Sequence, residues 1–191
     1  SDSQTGYIAP NQDEIIDWNI QYDFTYHLVL GNLDTIRAYV YQNPPSAPCL
    51  LYDFEMNRQH FTFNNAADSG VPNGYWHVVM EQNDPQLVGP VCLWDAGKYP
   101  VLHINASYSS TQLSTTAQIF WSSTAMPGPQ FSETQSIRFT IIPDGQFHLY
   151  EVDLSTNPTY TGPLYCLRFD PVDTGTTGAY VNVASILLNE N

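Results

Sequence analysis

The stretch LYEVDLSTNPTYTGPLYCLRFDPV, residues 149–172, decides the fold. Residues 149–154 alternate apolar and polar side chains, which is the pattern of a half-buried strand. Pro158 follows, and it ends that strand because proline has no amide hydrogen to donate. A second turn signal at residues 161–163 leads into a further apolar segment, residues 164–169. The stretch therefore predicts two strands and the link between them.

Segments of this kind recur along most of the chain. From residue 50 onward, short apolar segments come about every ten residues with turn residues between them, which is typical of antiparallel sandwiches. The predicted strands are residues 50–55, 61–63, 74–80, 90–94, 101–108, 117–122, 136–142, 147–154, 164–169 and 179–188. Residues 143–145, Pro-Asp-Gly, predict a hairpin that joins the strand before them to the strand after them. The sequence predicts an all-β fold, an antiparallel β-sandwich.

The first 44 residues form a separate part of the sequence. Residues 1–14 are polar and predict an arm. Residues 16–24 carry an apolar side chain at every second position, and residues 33–41 predict a second strand. A proline-rich break then separates this pair from the rest. Because two strands alone are only marginally stable, we expect residues 1–44 to add to the sandwich formed by residues 45–191, or to end a preceding domain.

The charge balance limits the partners. The chain of 191 residues has 5 Lys and Arg against 19 Asp and Glu, a formal net charge of −14. Phosphate binding needs a basic face, so nucleic acids and anionic membrane surfaces are disfavoured. Polyanionic glycans would be repelled as well, unless calcium bridges them. No apolar run approaches the roughly 20 residues of a membrane helix, so we expect no membrane insertion.

The three cysteines, Cys49, Cys92 and Cys166, allow at most one disulfide within the chain. Their spacing matches no metal-binding motif. Free cysteine behaves as a small buried apolar residue, so we expect three reduced cysteines rather than a bridge.

Five short motifs resemble those of one family. They are Asp-Phe-Glu at residues 53–55, Asn-Asp-Pro-Gln-Leu at 83–87, Asp-Ala-Gly-Lys-Tyr-Pro at 95–100, Pro-Asp-Gly-Gln-Phe-His-Leu-Tyr at 143–150 and Leu-Arg-Phe-Asp-Pro at 167–171. In this order they resemble galactose-binding-like β-sandwich domains, which are similar to the carbohydrate-binding modules of secreted proteins that degrade glycans. The resemblance covers residues 50–188. It implies a jelly roll, an extracellular or cell-surface location, and neighbouring domains in a parent protein.

The resemblance also implies a structural calcium ion. Its ligands would come from an acidic residue of the first strand, from backbone carbonyls and from an aspartate of the last strand. Asp53 and Glu55 match the first position, but Ala184 stands where the aspartate is expected. Asp153 or Asn182 would then have to replace it.

Sugar binding is predicted from aromatic side chains that stand beside polar ones. A pyranose ring has apolar C–H faces and a rim of hydroxyl groups, so its sites combine exposed aromatic rings with amides and carboxylates. The candidate ligand-binding residues are Trp94, Tyr75, Trp76, Tyr99 and Trp121. Trp76 and Trp121 share strand parity with apolar neighbours, so for these two the core is the alternative to a binding face. Trp94, just before a turn, and Tyr75, on the opposite parity, are the better candidates for stacking.

Two other residues near the candidates have a structural interpretation. Tyr160 is expected to pack under the turn that follows it. Arg168 lies between two apolar residues of a strand, and we expect it to bridge Asp170 rather than to bind a ligand.

Catalysis is not predicted. The candidate acids, Glu55, Glu81, Glu133 and Glu151, form no E-x-D-x-E strand motif, and the sequence has no nucleophile-elbow, zinc-protease or P-loop motif. A small jelly-roll glycosidase would need two carboxyl groups about 5–10 Å apart across a cleft. We therefore assign no catalytic residue.

The sequence favours a non-catalytic module of an extracellular multi-domain protein that binds polysaccharide through exposed aromatic residues. Such a module would keep a glycoside hydrolase or polysaccharide lyase domain near its substrate by raising the effective concentration. The first alternative is a structural or interaction module of a cell-surface or extracellular assembly. The second alternative is the small glycosidase.

Overall fold

The computed structural model describes residues 28–42, 50–125 and 129–189. The chain divides into two compact units, Ser1–Asn43 and Pro44–Asn191. Within the described ranges, no helix has both the length and the apolar run that a membrane span requires.

The described part of the first unit contains a helix, α1, Leu33–Gln42. Its first turn is capped by Asn32, whose Oδ1 accepts a hydrogen bond from the Thr35 amide at 2.9 Å. Asp34 also lies in the first turn, where a negative charge interacts favourably with the helix dipole. Asparagine at this position is among the best helix caps, because its side chain satisfies an amide that would otherwise lack a partner.

The prediction of a strand at residues 33–41 is therefore wrong. Leu33, Ile36 and Val40 also follow the three-to-four-residue spacing of a helix, and the Asn32 cap decides between the two patterns. The strand predicted at residues 16–24 lies outside the described residues. That the first 44 residues add to the sandwich stays a prediction.

The second unit consists of two antiparallel sheets of six strands each. In chain order the strands are β1 Leu51–Asp53, β2 Thr62–Asn64, β3 Ala66–Asp68, β4 Trp76–Met80, β5 Gln86–Val88, β6 Trp94–Asp95, β7 Val101–Tyr108, β8 Thr116–Ser123, β9 Ser136–Thr140, β10 Phe147–Asp153, β11 Pro163–Asp170 and β12 Tyr180–Asn189. Sheet A has the order β10-β7-β12-β4-β3, and β1 pairs with the other half of β12. Sheet B has the order β2-β5-β11-β8-β9, and β6 pairs with β11. The prediction of an all-β antiparallel sandwich is confirmed.

The core lies between the inner faces of the two sheets. Alternation along the strands places every second side chain inward, as in β4, where Trp76, Val78 and Met80 are buried. In β7 the inward positions are Leu102 and Ile104, both fully buried. The residues at the odd positions of these strands, 77 and 79 or 101, 103 and 105, therefore form the outer face of sheet A.

The hairpin predicted around residues 143–145 is wrong. The strand before this turn, β9, pairs with β8 in sheet B, whereas the strand after it, β10, pairs with β7 in sheet A. The turn carries the chain from one sheet to the other, and the Gly145 amide donates to the Tyr108 carbonyl at 2.9 Å. Gly145 has φ +83°, a conformation that glycine adopts without strain. Alternation predicts that a segment is a strand, but it does not tell which sheet the strand joins.

Two smaller differences concern strand limits. The strand predicted at residues 90–94 is reduced to the two residues of β6, because proline and glycine interrupt the segment before it. The segment between the strands predicted at residues 61–63 and 74–80 contains a further short edge strand, β3.

The expectation of three reduced cysteines is wrong for Cys92, which is disulfide-bonded. Cys166 carries a free, buried thiol, which lies 3.2 Å from the Gly89 carbonyl oxygen. Burial raises the pKa of the Cys166 thiol to about 11. The third cysteine, Cys49, lies outside the described residues. Sequence spacing reports no distance in space, so it could not decide between a bridge and three thiols.

Candidate functional site

The tryptophans that the sequence nominated for sugar stacking lie in the core. The exposed fractions are 0% for Trp76, 2% for Trp94 and 0% for Trp121. The prediction that Trp94 stacks on a ligand is therefore wrong, and for Trp76 and Trp121 the core alternative is confirmed. A ring must present a face to solvent in order to hold a sugar. The fourth tryptophan, Trp18, lies outside the described residues.

Three nominated residues meet at Tyr160, but as packing rather than as a binding surface. The Trp94 indole Nε1 donates to the Tyr160 hydroxyl at 3.0 Å, and that hydroxyl donates to the Tyr99 carbonyl at 2.7 Å. The Trp121 ring lies edge-on to the Tyr160 ring, with centroids 5.0 Å apart. Tyr160 is 6% exposed, and burial raises the pKa of its hydroxyl. A buried indole needs a hydrogen-bond acceptor, and the Tyr160 hydroxyl supplies it.

A different aromatic pair stands at the surface. The rings of Tyr75 and Phe147 have centroids 5.5 Å apart and an interplanar angle of 55°. Phe147 is 43% exposed, Tyr75 is half-buried, and the Asn73 side-chain amide donates to the Tyr75 hydroxyl at 3.2 Å. We call Tyr75 and Phe147 the aromatic ledge.

The aromatic ledge spans the middle of sheet A. Tyr75 directly precedes β4 and Phe147 begins β10, and the strand order places β12 and β7 between them. Three strand spacings amount to roughly 14 Å, so the two side chains must lean towards each other across the outer face to meet. Ser107 and Asn182 lie in these two central strands, and they are only 1% and 9% exposed although they face outward.

A hydrogen-bonded polar row supports the ledge. In register across the sheet, Phe147 of β10, Ser107 of β7, Asn182 of β12 and His77 of β4 lie side by side. The Asn182 amide nitrogen donates to Ser107 Oγ at 3.0 Å, and Asn182 Oδ1 lies 2.6 Å from His77 Nδ1. Since the amide oxygen can only accept, this contact is a hydrogen bond in the form of His77 that has a proton on Nδ1. The His77 ring also packs against Tyr180, with centroids 5.0 Å apart.

The next row along the same face has unpaired polar groups. It contains Leu149 of β10, Asn105 of β7, Ser185 of β12 and Asp53 of β1. Leu149 is 67% exposed, and Asn105 and Ser185 are half-exposed. In the part of the chain that the structure describes, the side chains of Asn105 and Ser185 make no hydrogen bond.

The third row contains both apolar and charged side chains. It contains Glu151, His103, Leu187 and Leu51, of which Leu51 is 47% exposed. His103 Nε2 lies 3.1 Å from Glu151 Oε2, and the Asn189 amide lies 3.2 Å from His103 Nδ1. The outer face of sheet A therefore combines apolar rings and leucines with amide, hydroxyl and imidazole groups.

No lysine or arginine belongs to the outward positions of sheet A among the described residues. The charged groups there are the carboxylates Asp53, Glu151 and Asp153. Two of the arginines lie elsewhere. Arg58 forms an ion pair with Asp68 at 2.7 Å, and Arg168 lies on the outer side of sheet B. A face of this kind repels an anionic ligand and is compatible with a neutral one.

The residues nominated for calcium do not converge. Asp53 Oδ1 accepts a hydrogen bond from the Glu55 amide at 2.8 Å. Asp153 caps a 3₁₀ helix at Leu154–Thr156 through the Ser155 amide. Strand register places the α-carbons of Asp53 and Asp153 three strands and four residues apart, roughly 20 Å.

These residues therefore do not fit a single calcium ion. The Ala184 carbonyl, at the position where an aspartate was expected, accepts the Phe54 amide at 3.1 Å. Asn182, the other substitute, is used by the polar row. Among the described residues, no three His, Cys, Asp or Glu side chains are grouped so as to hold a metal ion. Bound calcium stays a prediction without a ligand set.

Two of the candidate acids belong to different sheets. Glu151 lies on the outer face of sheet A. Glu133 lies beside sheet B, where it bonds the Gln118 amide at 3.0 Å and pairs with Arg138 at 2.8 Å. Hydrogen bonds from these two partners lower the pKa of Glu133. These two acids therefore do not face each other across one cleft, as a glycosidase would require.

No family model and no curated protein matches the chain. Solved structures do match it. The K1 cleaved adhesin domain of Lys-gingipain from Porphyromonas gingivalis W83 matches at a TM-score of 0.50 with 15% identity, over 74% of this chain and 98% of that chain. The low-affinity xylan-binding module CBM86 of Roseburia intestinalis matches at 0.49 with 10% identity, over 74% and 94%. A family 6 carbohydrate-binding module from Clostridium cellulolyticum, in complex with xylose, matches at 0.44 with 14% identity, over 73% and 96%.

The fold is that of a β-sandwich module. The β-sandwich that the sequence motifs implied is confirmed by the two antiparallel sheets, and the match to the adhesin domain at a TM-score of 0.50 agrees with it. At identities of 10–15% the likeness extends to the sandwich alone and not to a ligand or to individual site residues.

The sequence named one member of the aromatic ledge, Tyr75, and missed the other, Phe147. Leu149, Asn105 and Ser185 were missed as well. Strand parity was the available signal: Phe147 and Leu149 alternate with Tyr150 and therefore point away from the core. Only the pairing of β10 with β7 brings them beside Asn105.

Proposed function

We propose that this chain is a non-catalytic module that binds neutral polysaccharide on the outer face of sheet A. The observation that carries the proposal is the aromatic ledge of Tyr75 and Phe147 beside unpaired polar side chains, on a face whose described positions include no lysine or arginine. The apolar C–H face of a sugar ring packs against an aromatic ring, and amide and hydroxyl groups bind its rim. Several solved structures with this sandwich are carbohydrate-binding modules, which supports the same function.

The proposal includes an extracellular setting. The disulfide at Cys92 supports it, because disulfides persist in oxidising compartments. In a multi-domain parent, the module would hold a catalytic domain against its polysaccharide by raising the local concentration of substrate.

Truncation of the ledge tests this proposal. In native gels that contain soluble xylan, hydroxyethyl cellulose or mixed-linkage β-glucan, we expect at least one neutral polymer to retard the wild-type protein. Phe147→Ala should weaken the retardation at least tenfold, because loss of a ring contact removes about 1.5–3 kcal/mol of apolar burial and each 1.4 kcal/mol is a factor of about ten. Polygalacturonate should not retard the protein, because the described positions of this face carry the carboxylates Asp53, Glu151 and Asp153 and no lysine or arginine.

The matched control is Phe131→Ala. Phe131 is a half-buried aromatic residue that contacts Phe120 on the outer side of sheet B, with centroids 6.5 Å apart. Its truncation should leave the retardation unchanged. The proposal would be contradicted if the wild-type protein is not retarded in these gels and binds nothing on an array of neutral and acidic glycans. It would also be contradicted if Phe147→Ala and Phe131→Ala weaken the retardation equally.

The competing function is an interaction module, and the exposed leucines favour it. Leu51 and Leu149 are 47% and 67% exposed on the same face. Aliphatic side chains of this kind also suit a protein partner. If the protein forms a dimer in size-exclusion chromatography that Leu149→Ser dissolves, and binds no glycan, the interaction module is the correct function.

A further inference from the structure

Asn105 is an unusual residue for its place in the fold. It lies within β7, an eight-residue strand that is paired on both sides, with β10 and with β12. Asparagine is depleted in strands because it does not pack well on a pleated surface. Its side chain faces outward, between Leu149 on β10 and Ser185 on β12.

Asn182 provides a direct comparison. It also lies in a paired strand and faces the same way, but its amide bonds both His77 and Ser107. The fold therefore uses Asn182 to tie two neighbouring strands together. Asn105 does not connect strands in this way. Within the described ranges, neither its side-chain amide nor the Ser185 hydroxyl has a side-chain or backbone hydrogen-bond partner. Asn105 thus lowers strand propensity without giving a hydrogen bond in return.

The surroundings of Asn105 suit a ligand hydroxyl. Phe147 and Leu149 are two residues apart on β10, so the row of Asn105 lies roughly 7 Å along the strands from the row of Phe147. A sugar ring packed on Phe147 would place its hydroxyl rim over Asn105 and Ser185. An amide offers two donors and one acceptor oxygen, and a serine hydroxyl both donates and accepts. A hydroxyl group matches both.

We propose that Asn105 and Ser185 form the pair that binds the hydroxyl groups of a neutral glycan held on the aromatic ledge, and so determine which glycan the face selects. This inference rests on the proposed function. It assigns the two residues to the ligand and not to the fold, so their replacement should weaken binding without lowering stability.

The test compares Asn105→Thr with Asn182→Thr. Both changes remove an amide from the outer face of sheet A and introduce a residue with good strand propensity. The readouts are the melting temperature and the retardation in gels with soluble xylan, hydroxyethyl cellulose and mixed-linkage β-glucan. We expect Asn105→Thr to melt at or above the wild-type temperature and to bind about tenfold more weakly. Asn182→Thr should melt below wild type, because His77 and Ser107 lose their partner.

Each outcome decides a different point. If Asn105→Thr is retarded like wild type, this inference is overturned while neutral-glycan binding stands. If Asn105→Thr lowers the melting temperature as much as Asn182→Thr does, Asn105 is structural and the inference fails as well. If none of the three polymers retards the wild-type protein, the inference falls together with the proposed function. Ser185→Ala, which removes only a hydroxyl, should reproduce the binding loss without a change in melting temperature.

Discussion

Replacement of Arg168 with leucine should lower the free energy of unfolding by about 3–5 kcal/mol. The Arg168 Nε donates to Asp170 Oδ1 at 2.7 Å, and the Arg168 guanidinium lies 4.5 Å from the centroid of the Phe120 ring. Asp170 is 3% exposed. Without the arginine, the buried carboxylate of Asp170 on the outer side of sheet B would have no positive charge beside it. An unpaired buried charge is strongly destabilising.

The loss should depend on pH. Burial raises the pKa of Asp170 to about 6, and the hydrogen bond and charge of Arg168 oppose this rise. In Arg168→Leu the pKa should rise further. A carboxyl group whose pKa is higher in the folded chain than its unfolded value, near 4, binds protons preferentially in the folded state. Stability is then lost as the pH rises through the folded pKa, so the deficit should be larger at pH 8 than at pH 5.

Urea denaturation at both pH values measures this prediction. Arg138→Leu is the matched control, because Arg138 pairs with Glu133 at the surface, with side chains 55% and 67% exposed. That pair should contribute about 1 kcal/mol or less. The double variant Arg168→Leu/Asp170→Leu should recover most of the loss, since it leaves no unpaired buried charge. Asp84, the other partner of Arg168 at 3.1 Å, has a side chain that is 55% exposed, so water can solvate its carboxylate. Equal effects of Arg168→Leu and Arg138→Leu, or a deficit independent of pH, would show that the pair is not essential to the fold.

Trp94→Ala should lower the free energy of unfolding by about 3–5 kcal/mol, the range for a buried aromatic residue truncated to alanine. Trp94 is 2% exposed and packs between the sheets, with its indole bonded to Tyr160. Its strand β6 pairs with β11 through Leu164. The substitution would open a cavity and remove the indole that donates to the Tyr160 hydroxyl, which would keep only its bond to the Tyr99 carbonyl. Guanidinium chloride denaturation, followed by circular dichroism, gives the change.

Trp94→Phe keeps the test informative if the alanine variant does not fold. The phenylalanine variant should be less stable than wild type and should bind neutral polysaccharide with unchanged affinity. Phe147→Ala should show the reverse pattern, with stability within about 1 kcal/mol of wild type and weaker binding, because the ring is partly exposed. Loss of binding in a folded Trp94→Phe protein would restore Trp94 as a ligand-binding residue.

Local pattern predicted most strands but not their partners. The alternation in residues 101–108 and 147–154 predicts two half-buried strands, and both exist as β7 and β10. Yet β10 was expected to pair with the strand just before it, because a turn sequence joined them. Its partner is β7, about forty residues earlier in the chain. Such pairings depend on how the whole core closes, and turn residues do not report that.

The helix α1 shows a second limit of pattern. Apolar residues at 33, 36 and 40 fit a helix, whereas those at 36, 38 and 40 fit a strand. The Asn32 cap was present in the sequence and would have favoured the helix.

Prediction of the candidate site from the sequence depended on knowing which side of each strand faces solvent. Tryptophan is common both in protein cores and in sugar-binding sites. The polar residues next to Trp94 in the sequence therefore could not decide whether its ring is buried or binds a sugar. Phe147 could have been found by parity, because it alternates with the core residues Tyr150 and Val152. The proximity of Phe147, Tyr75 and Asn105 could not have been predicted. It depends on three pairings between strands that are far apart in the sequence.

The most direct test of glycan binding on the outer face of sheet A is a titration of isotope-labelled protein with xylohexaose and with cellohexaose, followed by nuclear magnetic resonance. We expect amide shifts to change at Tyr75, Asn105, Phe147 and Ser185, and to stay constant at Arg168 and the rest of the outer side of sheet B. Shifts confined to sheet B, or to the strand ends away from the ledge, would contradict the account. So would spectra that neither sugar changes.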